Sequence, residues 1–338
     1  MSYRSMVTGG AGFVGSHLVE HLQEMRHEVL VLDDLSGGSR ENVPVGQKFV
    51  EGSITDHGLV NDLFSRYRFD YVFHLAAYAA EGLSHFIRRF NYTNNIIGSM
   101  NLINAAVNND VKCFVFTSSI AVYGHASNPM REDMTPVPVD PYGIAKHAVE
   151  LNLKAAKRMF GLNSITFRLH NVYGEKQNTG DKYRNVIGIF MNQIMQGAPC
   201  TIFGDGLQTR AFSHISDVAP IIARSIENPD AYNETFNIGA DNAYSVNELA
   251  EIVQKQMDTR TGVIHVDARD EVIHAFCDHS RARRVLGYRA QVDLNEGVRR
   301  MAQWAKSIGS KKSKDFDHIE VPRYLPSSWR GIVNSGQI

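Results

Sequence analysis

Cysteine is scarce in this 338-residue chain. Cys113, Cys200 and Cys277 are odd in number, far apart and without a CxxC spacing. That argues against a disulfide framework and a thiolate zinc site, and for a reducing compartment. The 14 histidines include no HExxH motif, so no metal is expected. An excess of charge of one sign is lacking too: Lys and Arg number 35 against 36 Asp and Glu, a formal net charge of -1, with no extended basic block. Neither nucleic acid nor an anionic membrane is therefore an expected partner. No apolar run approaches the roughly 18 residues of a membrane span. The chain enters a strand-like segment by Ser5, too early for a signal peptide. A cytoplasmic, non-membrane protein is the expectation.

What the chain has is alternation. Short segments rich in Val, Ile and Phe at 5–8, 28–33, 49–52, 71–75, 113–117 and 164–168 read as buried strands. Between them lie helical stretches at 13–25, 58–67, 84–108 and 141–160. Strict alternation of this kind dictates an α/β fold, a Rossmann-type doubly wound parallel sheet with right-handed crossovers. The length exceeds one compact core, and the rhythm loosens after Gly174 into helices at 186–196, 216–228, 245–257 and 280–286 with a strand at 200–203. A smaller C-terminal α/β substrate lobe is expected there. The reading places a dinucleotide-binding domain at 1–174 with segments returning at about 212–240, an interleaved lobe at 175–309, and an extended polar tail at 310–338.

Thr8-Gly9-Gly10-Ala11-Gly12-Phe13-Val14-Gly15 joins the first strand to the first helix. A GxxGxxG spacing is weak by itself. Between strand and helix, however, it lets the backbone approach a pyrophosphate lying on the positive end of the helix dipole. Asp33 ends the second strand, where a carboxylate accepts hydrogen bonds from ribose hydroxyls and repels a 2′-phosphate. NAD is thereby favoured over NADP; the other reading of Asp33 is a solvated turn residue. Tyr142 and Lys146, four apart, share a helix face. A free tyrosine titrates near 10, and an adjacent ammonium favours the phenolate, so the pair can act as a base. Ser119, arriving from another element, can share the same substrate oxygen. A YxxxK spacing also arises on ordinary surface helices, so its meaning depends on the rest of the chain.

The glycine turn, Asp33, Phe73-His74-Leu75-Ala76-Ala77, Asn95, Thr117-Ser118-Ser119 and Tyr142-x3-Lys146 stand in one order. In this the chain resembles the extended short-chain dehydrogenase/reductases, and among them the nucleoside-diphosphate-sugar 4-epimerases of the UDP-galactose 4-epimerase kind. The likeness continues through Asn171-Val172-Tyr173-Gly174, Phe203-Gly204-Asp205-Gly206-x2-Thr209-Arg210, Phe236-Asn237-Ile238-Gly239 and Ala282-Arg283-Arg284-Val285-Leu286-Gly287-Tyr288, covering roughly 3–305. The resemblance implies that Tyr142 is the base, Lys146 its partner on the nicotinamide ribose, and Ser119 the donor to the sugar oxygen. It implies NAD held by Gly9, Gly12, Phe13, Val14, Asp33, Asp34, Ser36, Ser53, Ile54, Leu75, Ala76, Ala77, Asn95 and Thr117 as well. A nucleotide sugar, UDP-hexose, would lie on Asn171, with Asn185, Val186, Thr201 and Phe203 about the uracil. Arg210 and Arg269 would meet the diphosphate and Glu271 a ribose hydroxyl. The implied chemistry is reversible hydride transfer at C4 through a 4-keto sugar, with NAD staying bound. A homodimer through helices 84–108 and 141–160 is expected by analogy.

Departures from the family pattern sharpen the reading. Ile120-Ala121 holds no acid where sugar dehydratases carry an Asp-Glu pair, so elimination is not expected. Asn171 and Asn178 stand where glucuronate 4-epimerases carry Thr and Arg, which favours a neutral hexose, although Lys176, His170 or Arg184 could meet a uronate. UDP-glucuronate 4-epimerase and a net nucleotide-sugar oxidoreductase or reductase are the alternatives. Ser53 replaces an adenine-binding Asp, and the small Ala275 leaves room for an acetamido group. Glu81 and His85 border the expected sugar pocket; their other reading is a solvated helix start capped by Ser84. The tail has no assigned role.

Overall fold

The computed structural model describes residues 2–313 and 315–329. Its central sheet contains β1 (Arg4–Thr8), β2 (Glu28–Asp33), β3 (Lys48–Glu51), β4 (Tyr71–His74), β5 (Cys113–Ser119), β6 (Ser164–Leu169) and a seventh strand, Thr235–Ile238. Within these strands neighbouring residues point to different cores. Met6, Leu30, Val72 and Phe114 pack in one apolar cluster, and Val7, Val31, Phe73 and Val115 in another. A strand buried on both faces is apolar at most positions, which is why these segments read as hydrophobic runs.

All seven strands are parallel, in the order Thr235–Ile238, β6, β5, β4, β1, β2, β3. Helices α1 (Phe13–Glu24) and α2 (His57–Tyr67) cover opposite faces. The order reverses between β1 and β4, and ligands of such sheets bind beyond the carboxyl ends of the strands at that point.

The stretch read as one helix at 84–108 is broken. Glu81–Ser84 (α3) is a single turn, Arg88–Tyr92 (α4) follows, a π-helical turn occupies Thr93–Ile97, and Gly98–Asn108 (α5) completes it. Ser84 does not cap a helix starting there: its hydroxyl accepts from the Tyr142 N–H (3.2 Å). The helix Pro141–Phe160 (α6) has the bounds expected, because Asp140 caps Gly143 N–H at 2.8 Å, Pro141 sits at the first turn, and Gly161 closes the end at φ 80°.

Beyond β6 a third core forms around α7 (Val186–Met195), the strand Cys200–Phe203 and the helices Val246–Gln256 and Leu294–Ile308. The last helix has no counterpart in the sequence reading. Its signal was present in Asp293, whose carboxylate accepts from Glu296 N–H at 3.0 Å. Among the described residues no helix is long and apolar enough to cross a membrane.

Candidate active site

β1 runs into Gly9, whose φ of +72° is left-handed. A Cβ on Gly9 would lie 2.7 Å from Ala76 N, and one on Gly15 2.1 Å from Gly9 O. The glycines thus pack backbone against backbone and leave no bulk over the start of α1. Gly12 is the N-cap of α1 with no side-chain cap, so the first-turn N–H groups are left for an anion. Asp33 is not a solvated turn residue. It is 7% exposed, and it accepts from Ala11 N–H (3.0 Å) and Leu35 N–H (2.8 Å). Burial pushes its carboxyl above the usual range, against those hydrogen bonds. An open turn, free N–H groups and a carboxylate at the end of β2 fit a dinucleotide.

The residues expected to hold cofactor and substrate line one cleft of about 480 Å³, with two exceptions. Ser53 is not in the wall; its hydroxyl is hydrogen-bonded to that of Thr55 at 2.9 Å. Asn95 is buried behind the wall, donating to Tyr78 O (3.1 Å) and accepting from Tyr78 N–H (2.8 Å). It holds the loop after β4 that carries Tyr78.

Ser119 ends β5, its Oγ accepts from Ala121 N–H at 3.1 Å, and it lines the cleft together with Tyr142. A Cβ on Gly143 would meet Ala121 O at 2.6 Å, so this glycine lets α6 approach the turn after Ser119 closely. Lys146 is 3% exposed. Its ammonium donates to Thr117 O at 2.7 Å and lies 5.8 Å from the centre of the Tyr142 ring. Burial pulls it down to about 7 despite the Glu150 carboxylate. Burial pushes the Tyr142 hydroxyl well above its ordinary value; the neighbouring Ser119 hydroxyl works against this, and Asp140 and Glu81 add to it. The spacing of Tyr142 and Lys146 alone therefore does not make a phenolate. The site needs a further positive charge near the ring.

The substrate end is an arginine pair around one acid. Arg269 donates to Glu271 at 3.0 Å, and Arg210 reaches the same oxygen at 3.4 Å. The Arg210 guanidinium is held by the carbonyls of Thr209, Ile273 and Val272 at 2.9, 2.9 and 2.5 Å, and Arg269 lies over the Phe203 ring at 4.6 Å. Gln193 fixes the strand beside them, donating to Thr201 Oγ1 and accepting from Thr201 N–H, both at 3.1 Å.

A side pocket of about 70 Å³ opens beside Ser119, lined by Ile120, Ala121, Asn171, Arg210, Ala275 and Glu81. The acid missing after Ser119 thus reaches this pocket from another element. Glu81 opens onto the cleft with protein on its other sides, and burial, with Asp140 next, pushes its carboxyl up to about 7. The groups that could pair with a uronate are otherwise engaged. Lys176 bonds Glu20 at 2.5 Å; Arg184 bonds Asp181 at 2.5 Å and lies over the Tyr78 ring; and burial holds His170 well below its usual range, uncharged. His17 and His21 form an HxxxH spacing that the sequence reading passed over. His17 is bonded to Glu175 O (3.0 Å) and His21 to Glu24 (3.0 Å), and among the described residues no group of three or more metal-ligating side chains converges.

Residues 5–239 match the model of the NAD dependent epimerase/dehydratase family. A putative UDP-glucose 4-epimerase of Methanocaldococcus jannaschii is 34% identical over 308 residues, 89% of this chain and 98% of its own. The structure of UDP-glucose 4-epimerase with UDP-glucose from Thermotoga maritima superposes with a TM-score of 0.86 at 34% identity, covering 90% of this chain and 99% of that one. The Thermus thermophilus UDP-glucose 4-epimerase complex with NAD gives 0.84 at 30% identity, covering 89% and 98%.

Proposed function

We propose, on the premise that this chain belongs to the NAD dependent epimerase/dehydratase family, that it interconverts the C4 epimers of a UDP-hexose, UDP-glucose and UDP-galactose first. It is an NAD-dependent enzyme of the extended short-chain dehydrogenase/reductase type; the sugar, the nucleotide and the mechanism are our reading. One observation carries it. Ser119, Tyr142 and the Arg210–Glu271–Arg269 cluster line the same cleft, and no free cation stands there for a C6 carboxylate among the described residues.

The turn at Gly12 to Val14 and Asp33 would hold NAD, which when bound would supply the hydride acceptor and a positive charge favouring the phenolate. Tyr142 takes the proton of the sugar 4-hydroxyl while Ser119 holds that oxygen, and Lys146, fixed by Thr117 O, adds positive charge on the far side of the ring. Arg210 and Arg269 neutralise the diphosphate, which is the remote anchor about which a 4-keto sugar presents its other face. Tyr142 then returns the proton. The small Ala275 leaves the side pocket able to take an acetamido group.

Glu81 supports a neutral sugar over a uronate, since two carboxylates in one small pocket repel. It also gives a pH dependence. As pH rises through about 7 the carboxyl ionises and opposes the anionic diphosphate. UDP affinity is expected to fall by about threefold between pH 6 and 8, and Glu81→Gln to flatten that slope. Calorimetric titration at the two pH values checks it; equal slopes in both proteins remove Glu81 from the account.

A homodimer is part of the proposal, supported by apolar Ile97, Ile144 and Leu151, exposed on the helices that related dimers pair. So is a cytoplasmic location, supported by three buried, unpaired thiols. Incubation with a panel of UDP-, dTDP- and GDP-sugars, with products identified by NMR, tests the reading. The expected result is UDP-galactose from UDP-glucose and the reverse, without net reduced cofactor. A 4-keto-6-deoxy product would instead assign Glu81 to elimination, and turnover of UDP-glucuronate alone would replace the neutral hexose.

A further inference from the structure

Beyond residue 309 the described chain is irregular except for one turn at Ser327–Trp329, yet it is tied down at several points. Lys311 N–H donates to Asn192 at 2.8 Å, and Lys311 O accepts from Asn192 and Gln196 at 2.9 and 2.8 Å. Phe316 N–H donates to the Tyr183 hydroxyl at 3.0 Å. The Glu320 carboxylate accepts from Arg89 N–H (2.7 Å) and Phe90 N–H (2.8 Å). It thereby caps α4, which has no side-chain cap of its own. Leu325 and Trp329, each 5% exposed, pack with Ala80, Leu83, Ile87 and Tyr183. The segment is a strap across the loop that carries Glu81. It lies beyond residue 305, where the family likeness in sequence ends.

Trp329, at the end of this strap, stands behind the substrate end of the cleft. Its ring is edge-on to Tyr183 (5.4 Å between centroids) and tilted towards Phe203 (5.9 Å). The Arg269 guanidinium lies 5.9 Å from the indole and 4.6 Å from Phe203. A Cβ on Gly82, next to Glu81, would stand 3.2 Å from the indole. A guanidinium held by two rings and Glu271 is ordered before any anion arrives, so less freedom is lost on binding.

We propose that the carboxy-terminal strap is a working part of the substrate site, with Trp329 a positioning residue that fixes Phe203 and Arg269 as the wall for the substrate's nucleotide. This rests on the nucleotide-sugar reading of the cleft. Trp329 acts through its neighbours, so its loss weakens nucleotide binding more than it slows the chemical step.

The test is calorimetric titration of the full chain, loaded with NAD, with UDP alone, followed by KM and kcat for the UDP-sugar. Trp329→Ala is expected to weaken UDP about tenfold and Trp329→Phe by less than about threefold. NAD content stays unchanged, and KM rises by a larger factor than kcat falls. UDP affinity within about twofold of the parent in Trp329→Ala overturns the proposal. Should that variant fail to fold, Glu320→Gln, which loosens the strap without touching the ring, decides in its place. A loss of about threefold supports the proposal and unchanged affinity overturns it. A parent chain that binds no UDP would sink the nucleotide reading itself, a different result from a parent that binds beside an unaffected variant.

Discussion

Replacing Tyr142 by phenylalanine is expected to lower kcat by about a thousandfold or more, the range lost when a positioned acid–base group is removed. NAD content and folding should be unchanged. The hydroxyl belongs to a tyrosine that lines the cleft together with Ser119 and Lys146. The ring itself would remain packed at the start of α6, because that helix is capped by Asp140 and Ser84, not by the phenol. The check is kcat together with the absorbance of bound nicotinamide in the purified variant. Activity within about tenfold of the parent would remove Tyr142 from the base role.

The second large effect falls on stability. Glu150, one turn beyond Lys146 on α6, accepts from Arg168 Nη2 at 2.6 Å and Nε at 3.0 Å, and from Ser118 at 2.6 Å, all in the interior. Burial alone would raise its carboxyl, but the nearby His147 and the bonds from Arg168 and Ser118 outweigh that and hold it at about 2. This pair clamps α6 to β5 and β6 one turn from Lys146. Glu150→Gln leaves Arg168 buried without its counter-charge and is expected to cost about 3 kcal/mol at neutral pH. In a chain of this size that lowers Tm by about 4 °C. The carboxyl is depressed in the folded state, so its contribution is present above the unfolded value of 4.5 and is lost as pH falls towards 2. Denaturant titrations at pH 7 and pH 3 should therefore show a smaller difference between parent and variant at the lower pH. An equal difference at both would mean that the glutamate holds the fold by shape alone.

The sheet and the two glycine- and tyrosine-bearing motifs were legible because their causes are local. α6 announces itself by Asp140-Pro141 at one end and Gly161 at the other, and β2 by a continuous apolar run ending in Asp33. The break in 84–108 was not legible: the carboxylate that caps α4 belongs to Glu320, 231 positions away from Arg89. Glu81 does start a helical turn and is exposed, as the sequence suggests, but only the packing of that turn against α6 and the strap makes the space it faces the cleft and side pocket. Tyr142 and Lys146 share a helix face as their spacing requires, but spacing is silent on where an ammonium finds its acceptor. That acceptor is Thr117 O, on β5. Chain order is equally silent on the partners of Ser53 and Asn95, whose side chains bond Thr55 and Tyr78.

The central claim is that hydride leaves C4 and returns to the same carbon within one closed site. UDP-glucose carrying deuterium at C4, converted in ordinary water and read by NMR and mass spectrometry, tests this directly. UDP-galactose that retains the deuterium at C4, with no reduced cofactor accumulating, is the expected outcome. Deuterium exchanged for solvent hydrogen, or appearing in released reduced nicotinamide, would contradict it.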